Sequence, residues 1–125
     1  MYLDQVIEML DVKITRTPTV TGAWGEYDHT HREVRLDPRL SGVPYTSTLA
    51  HELGHAAHGH TASTAVTERE ADEYAAWLLI PFCRYMEAAR AYETVEAVAH
   101  ELEVLPGDAA RYAARMHARG RACVS

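Results

Sequence analysis

The residues with the clearest chemistry are two histidines and a glutamate in the stretch His51-Glu52-Leu53-Gly54-His55. On a helix, His51 and His55 lie four residues apart on one face, so both imidazoles can reach one metal ion. Glu52 lies beside that face, where it can take a proton from a metal-activated water. The pattern is typical of the active helix of zinc metallopeptidases.

The flanks of the motif must decide whether it is more than a chance match, because eight of the 125 residues are His. Polar residues and Pro44 precede the motif, as expected at the start of a helix. Leu49 and Leu53 predict a core-facing stripe beside the histidines. Gly54 lowers helix stability, so we expect a close helix–helix or helix–metal approach there. The alternative is a surface helix that happens to carry two histidines.

Residues 67–81 predict a second helix, stopped by the proline at its end. Two histidines and a water leave a zinc ion one protein ligand short, and a carboxylate from another helix is the usual completion. We favour Glu68, which lies near the inward face, with Asp72 one turn later accepting a hydrogen bond from a ligand histidine. Glu70 is the alternative ligand, although Thr67 and Glu70 have the spacing of a capping box.

Three segments of the chain resemble the ImmA/IrrE family of metallopeptidases, which are relatives of the thermolysin-like zinc enzymes. They are residues 48–55 (TLAHELGH), 68–75 (EREADEYA) and 78–81 (LLIP). The resemblance extends over most of the chain, and these segments are its specific part. It implies an α+β fold: a small zincin-like domain with a short antiparallel sheet before the HExxH active helix, and a helical C-terminal half.

The resemblance also implies an activity, that of a cytoplasmic zinc-dependent endopeptidase with one Zn²⁺ per chain. Such enzymes are often encoded by a phage or mobile element, and they commonly act on a helix-turn-helix repressor. It implies that the metal is held by His51, His55 and Glu68, with Glu52 as the general base. One departure is the short connection from His55 to Glu68, twelve residues that leave little room for a substrate-covering insertion.

The length, the composition and the hydrophobic pattern of the rest of the chain predict one α+β domain over residues 1–125, with no linker to a second domain. Predicted before the motif are a helix, a short strand and a strand pair that can form a hairpin, at residues 2–10, 12–15, 23–28 and 33–36. An extended substrate peptide could add to the edge of this sheet. Beyond residue 81 the chain is predicted to be helical.

Charge is unevenly distributed along the chain. The formal net charge is −6, with −10 in the first 108 residues and +4 in the last seventeen. Arg111, Arg115 and Arg119 form a basic stripe on a predicted helix pair over residues 93–120, which resembles a helix-turn-helix. DNA binding by this stripe is one alternative function. We favour a solvated basic face, because the acidic body would repel phosphates.

Another alternative is a non-catalytic, metal-containing module that sequesters a regulator without cutting it. The two cysteines show no ligand spacing, and Cys83 is predicted to be a buried thiol. The sequence has no membrane-spanning apolar run and no signal-peptide pattern, which favours a cytoplasmic protein without membrane partners.

The remaining histidines and tyrosines have no role that spacing can assign. His58 and His60 flank Gly59, where the active helix is expected to end, and a second, looser metal site there is the less favoured interpretation. Catalysis also needs a donor facing the developing oxyanion. Conceivable donors are Tyr27, Tyr74 and His60.

Overall fold

The structure is a computed structural model that describes residues 2–123, and their side chains as far as residue 117. One helix precedes three short strands, and five helices complete the described chain, which confirms the predicted α+β class. The elements are α1 (Tyr2–Leu10), β1 (Lys13–Arg16), β2 (Gly25–Asp28), β3 (Glu33–Leu36), α2 (Gly42–His58), α3 (Ala65–Leu79), α4 (Phe82–Ala91), α5 (Val95–Leu102) and α6 (Pro106–Cys123). None of the helices within the described range is long and apolar enough to cross a membrane.

The three strands form one sheet in the order β1-β3-β2. β2 and β3 pair antiparallel, with Gly25 opposite Leu36 and Asp28 opposite Glu33, which confirms the predicted hairpin. β1 pairs parallel with β3, so the sheet is mixed: the expected antiparallel pairing holds for β2 and β3, and β1 is the exception. The reason is the segment 17–24, which carries the chain from one edge of the sheet to the other before the hairpin begins.

Helix α2 packs against the sheet and against α3. Leu49 and Leu53 are buried, which confirms the predicted core-facing stripe. They share a core cluster with Val34 and Leu36 of the central strand. A second core lies among the helices that follow, where Tyr112 of α6 is fully buried. The motif helix is therefore held by apolar packing of the first cluster, which includes side chains of the sheet and of α3.

Helices α2 and α3 approach each other closely at Gly54. A Cβ atom on this residue would lie 2.8 Å from the Ala71 Cα and 2.9 Å from the Ala71 carbonyl oxygen. The prediction of a close helix–helix approach is thus confirmed, and the contact is backbone against backbone. Gly54 precedes His55, and Ala71 lies between Glu70 and Asp72, so this contact fixes the distance between the histidines of α2 and the acidic side chains of α3.

Helix α3 begins two residues earlier than the sequence suggested. Its N-cap is Thr64, whose hydroxyl accepts a hydrogen bond from the Thr67 N–H, while the Thr67 hydroxyl accepts one from the Thr64 N–H. The predicted capping box of Thr67 with Glu70 is therefore wrong. Thr67 is the N3 residue of the cap, and a hydroxyl takes the place of the expected carboxylate. The Glu70 carboxylate contacts His60 instead.

The C-terminal helices α5 and α6 pack against each other, and α6 also packs on α3. Arg111 lies within 3.5 Å of carboxylates on α3 and on its own helix, and Arg115 is 2.8 Å from the Glu73 carboxylate. Arg119 lies outside the residues whose side chains are described. Two arginines of the predicted basic stripe are thus paired within the chain, which lowers the charge they present outward.

The first turn of α4 is more exposed than expected. Cys83 is an exposed thiol, so the prediction that it is buried is wrong. Its neighbour Phe82 is also exposed, because this turn lies away from both core clusters.

We expect Gly54→Ala to lower the free energy of unfolding by about 1–3 kcal/mol, because the added methyl group would push α2 away from the Ala71 backbone. By helix propensity alone, alanine would stabilise the helix by about 1 kcal/mol relative to glycine. A decrease in the free energy of unfolding would therefore come from the steric contact. Gly107→Ala on α6 is the matched control, since its Cβ would meet only the Arg111 guanidinium at 3.4 Å. Urea unfolding measures both, and a Gly54→Ala protein as stable as the control would contradict the close contact.

Candidate metal centre

Two imidazoles lie on successive turns of α2, next to each other and on the side of the helix that faces α3. The Nε2 atoms of His51 and His55 are 3.2 Å apart, with the rings edge to face. His55 is buried and His51 partly buried. Burial lowers the pKa of His55, which favours the neutral ring that a metal requires.

The structure separates the two rival carboxylates of α3. Glu68 Oε1 lies 3.0 Å from His51 Nε2, and Glu68 Oε2 lies 3.1 Å from His55 Nε2. Ser63 Oγ donates a further hydrogen bond to Glu68 Oε2 over 3.0 Å. Glu70 is directed to His60, at 2.8 Å, rather than to the pair of histidines. Glu68 therefore occupies the place that a third ligand would need.

Asp72 contacts the far side of the first histidine, with Oδ1 2.8 Å from His51 Nδ1. A carboxylate only accepts hydrogen bonds, so His51 donates from Nδ1, and the neutral form of this ring has a bare Nε2. Arg111 lies 3.4 Å from the other oxygen of Asp72 and helps to hold this carboxylate. The bare Nε2 then faces the Glu68 carboxylate, which is also an acceptor. A proton or a metal ion between these two atoms would satisfy both of them.

The three facing groups fit a divalent metal ion. Atoms bound at about 2.0–2.1 Å to a tetrahedral zinc ion lie about 3.3–3.4 Å from one another, within a few tenths of an ångström of the separations here. Two imidazole nitrogens and one carboxylate are donors that zinc accepts, and three protein ligands are the usual number in a catalytic site.

Glu52 is the remaining acidic group of the motif, and it is only 6% exposed. Potential ligand atoms of His51, Glu52 and His55 all lie within 4.8 Å of one another, so the motif itself could hold a metal ion. Burial raises the pKa of Glu52 to about 7, and the nearby Glu68 and Glu26 carboxylates add to the rise, while His51 opposes it. A carboxyl in that range can both take and give a proton near neutral pH.

A groove crosses this cluster beneath the edge strand β2. Gly25 of β2 allows the close approach, because a Cβ there would lie 2.6 Å from Thr48 Cγ2 and 3.3 Å from Glu52 Cγ. Two cavities meet at Ala23, Gly25, Glu52 and Glu68. One continues along Thr21, Tyr27, His60, Thr61, Ala62 and Ser63, and the other along Trp24, Ser47, Thr48, Leu105, Asp108 and Arg111.

Sequence reasoning assigned no definite role to His60, although the structure places it at the centre. Its Nδ1 lies 2.9 Å from His55 Nδ1. The available signal was Gly59, whose left-handed conformation ends α2 and turns the next residue back onto the helix. Of the two tyrosines considered as oxyanion donors, Tyr27 lines the groove, whereas Tyr74 lines a separate cavity beside α3.

An HExxH helix whose histidines meet a carboxylate from the following helix is the arrangement of a zincin-type metallopeptidase. The chain belongs to the M78 peptidase family, described as the IrrE N-terminal-like domain, which matches residues 7–112. The resemblance to the ImmA/IrrE family is thus confirmed, and the family supports a metallopeptidase-type function. No curated protein matches the chain.

We expect His51→Ala to remove the bound metal, because a single imidazole and a carboxylate are too few ligands for a tight site. The metal should fall from about one ion per chain to near zero, and the variant should lose the thermal stabilisation that metal gives the native protein. His31→Ala is the control, since this side chain is 72% exposed and contacts only Asp28 among the described acids. Elemental analysis that finds equal metal in both variants would contradict the site.

The loop of residues 17–24, which lines the groove, should loosen at acidic pH, because its backbone N–H groups donate hydrogen bonds to the Glu26 carboxylate. Burial works to raise the pKa of this carboxyl, but hydrogen bonds from Val20, Arg35 and Thr21 outweigh it and lower the pKa from 4.5 to about 2. A pKa lowered by folding adds stability above about pH 4.5 that disappears as the pH falls towards 2. Native protein should therefore exceed Glu26→Gln in stability at neutral pH and converge with it in that window. Exposed Glu8→Gln is the control and should be about as stable as the native protein. A pH-independent difference for Glu26→Gln would contradict the assignment.

Proposed function

We propose that this protein is a zinc-dependent endopeptidase, with Zn²⁺ held by His51, His55 and Glu68. The observation that carries the proposal is the convergence of two imidazole nitrogens and a carboxylate within 3.0–3.2 Å of one another. A buried carboxyl, Glu52, lies beside them. The family supports the peptidase class, and the donor set supports zinc as the metal.

The residues of the site have distinct tasks in peptide hydrolysis. Zinc, when bound, polarises the substrate carbonyl and acidifies water. Glu52 accepts a proton from the water as the water oxygen bonds to the carbonyl carbon. It then delivers that proton to the amide nitrogen as the C–N bond breaks, so an acid and an amine leave. Asp72 holds His51 in the tautomer that keeps its Nε2 available.

The substrate is an extended segment of a protein, aligned along the edge strand β2. The groove passes under this strand, and the free edge of a sheet offers backbone donors and acceptors to a peptide. A regulatory protein such as a helix-turn-helix repressor is the target that the family resemblance favours, and such a target implies action in the cytoplasm.

The alternatives are less well supported by the described residues. A module that only sequesters a regulator has no need of a buried carboxyl beside the metal ligands, yet Glu52 is placed there at the cost of burial. DNA binding would require the arginines of α6, and Arg115 pairs with Glu73 while Arg111 lies among carboxylates. Phosphates would have to displace these pairs next to an acidic body.

We expect Glu52→Gln to keep its zinc and lose peptide hydrolysis by a factor of about 10²–10⁴, because the amide has the shape of the carboxylate but cannot take the proton. The measurement pairs elemental analysis with cleavage of a peptide mixture, read by mass spectrometry, with and without a chelator. Glu73→Gln on α3 is the control and should cut as the native protein does.

The outcomes separate the proposal from its alternatives. Native protein that cuts peptides only in the absence of chelator, with Glu52→Gln inactive, supports the endopeptidase. Zinc bound without any cleavage, of peptides or of a repressor encoded next to this protein, would instead favour a sequestering module. Full activity in Glu52→Gln would refute its role as general base.

A further inference from the structure

The turn that ends α2 brings a third imidazole to the metal centre. Gly59 adopts φ 67°, and its N–H donates to the Ala56 carbonyl over 3.1 Å. The His60 N–H donates to the His55 carbonyl over 2.9 Å. These two bonds form a Schellman C-cap, in which the residue after the left-handed glycine packs back against the last turn. Here that residue is His60, and it packs against His55.

Both ring nitrogens of His60 have partners. Nδ1 lies 2.9 Å from His55 Nδ1, and Nε2 lies 2.8 Å from Glu70 Oε1. The ring also stacks on His58, with an interplanar angle of 13° and centroids 5.1 Å apart. The His60 side chain is only 9% exposed, although Glu70 is 43% exposed. The ring is therefore fixed in place between a ligand histidine and a carboxylate.

The contacts run from His55 through His60 to Glu70, and the Glu70 carboxylate fixes the direction of each hydrogen bond. The Glu70 carboxylate can only accept, so His60 carries its proton on Nε2. The Nδ1 of a neutral His60 is then bare and must accept from His55. His55 consequently carries its proton on Nδ1, which leaves its Nε2 bare towards the metal centre.

We propose that Glu70 and His60 form a positioning relay that holds His55 in the tautomer able to bind the metal. The inference rests on the proposed zinc site, which gives the relay its purpose. Without the relay, the proton of His55 would be drawn to Nε2, where His51 Nε2 and the Glu68 carboxylate are acceptors at 3.2 Å and 3.1 Å. A proton there takes the place that the metal needs.

The relay complements the contact on the other ligand histidine. Asp72 accepts directly from His51 Nδ1 over 2.8 Å, whereas Glu70 acts on His55 through the inserted ring of His60. Both carboxylates belong to α3, two and four residues after the ligand Glu68. One helix thus supplies a ligand and the supports of both histidines, so its position sets the metal affinity as well as the geometry.

Two substitutions test the relay with a matched control. His60→Phe keeps a packed ring but removes the acceptor for His55, and Glu70→Gln removes the charge that orients His60. Glu73→Gln is the control, since this carboxylate has similar exposure on the same helix and pairs with Arg115. We expect both relay variants to bind zinc about 10- to 100-fold more weakly than the control, measured by competition with a chromophoric chelator.

A second readout detects the proton directly and does not depend on catalysis. In the metal-free protein at a pH of about 8.5, where free imidazole is neutral, ¹⁵N NMR of the histidine rings reports which nitrogen is protonated. We expect Nδ1–H for His55 in the native protein and in Glu73→Gln. We expect Nε2–H in His60→Phe and a shift towards it in Glu70→Gln. Thermal unfolding of the metal-free proteins establishes that all are folded.

The outcomes distinguish the relay from the zinc site on which it rests. Native protein that binds zinc while both relay variants match the control in affinity and tautomer would overturn the relay alone. An Nε2 proton on His55 in the native protein would also overturn it. Native protein that binds no zinc would refute the proposed function, and the His55 tautomer would then show whether the hydrogen-bonded chain exists without a metal.

Discussion

The backbone contact between Gly54 and Ala71 governs the metal centre, because it sets the distance between the two helices that build it. With α2 and α3 touching at this point, short side chains reach across the groove. His51 and His55 then meet Glu68 at about 3 Å, and Asp72 meets the outer nitrogen of His51. A wider separation would replace these direct contacts with water, and the two imidazoles and the carboxylate would no longer be within reach of one metal ion.

Local spacing predicted most of this arrangement, because a helix converts sequence separation directly into geometry. Helical periodicity alone predicted the pairing of two histidines with Glu52. The preference for Glu68 over Glu70 also used a capping box of Thr67 with Glu70, and although Thr64 and Thr67 cap the helix instead, Glu68 is the carboxylate that faces the histidines. What spacing could not supply were features set by distant contacts or single dihedral angles. The parallel pairing of β1 depends on how the chain crosses the sheet, and the role of His60 depends on the left-handed turn at Gly59.

The uneven charge of the chain also has an internal explanation. The sequence shows an acidic body and a basic C-terminal segment, which by themselves suggest an external acidic partner. In the fold, α6 lies against α3, so Arg115 meets Glu73 and Arg111 lies near Asp72 and Asp108. Arg111 thus connects the C-terminal helix to the carboxylate that orients His51, and part of the charge asymmetry is neutralised inside the chain.

Segment 17–24 lines the groove, whereas the side chains that face the metal centre belong to α2 and α3. The segment connects the two edges of the sheet and covers the groove. Its Val20 and Thr21 N–H groups donate hydrogen bonds to the Glu26 carboxylate, which is not one of the metal-facing side chains. Insertions and replacements in it would change the lining of the groove while the helices below keep their spacing. The shape of the groove can therefore be changed without moving the metal-facing side chains, which belong to α2 and α3.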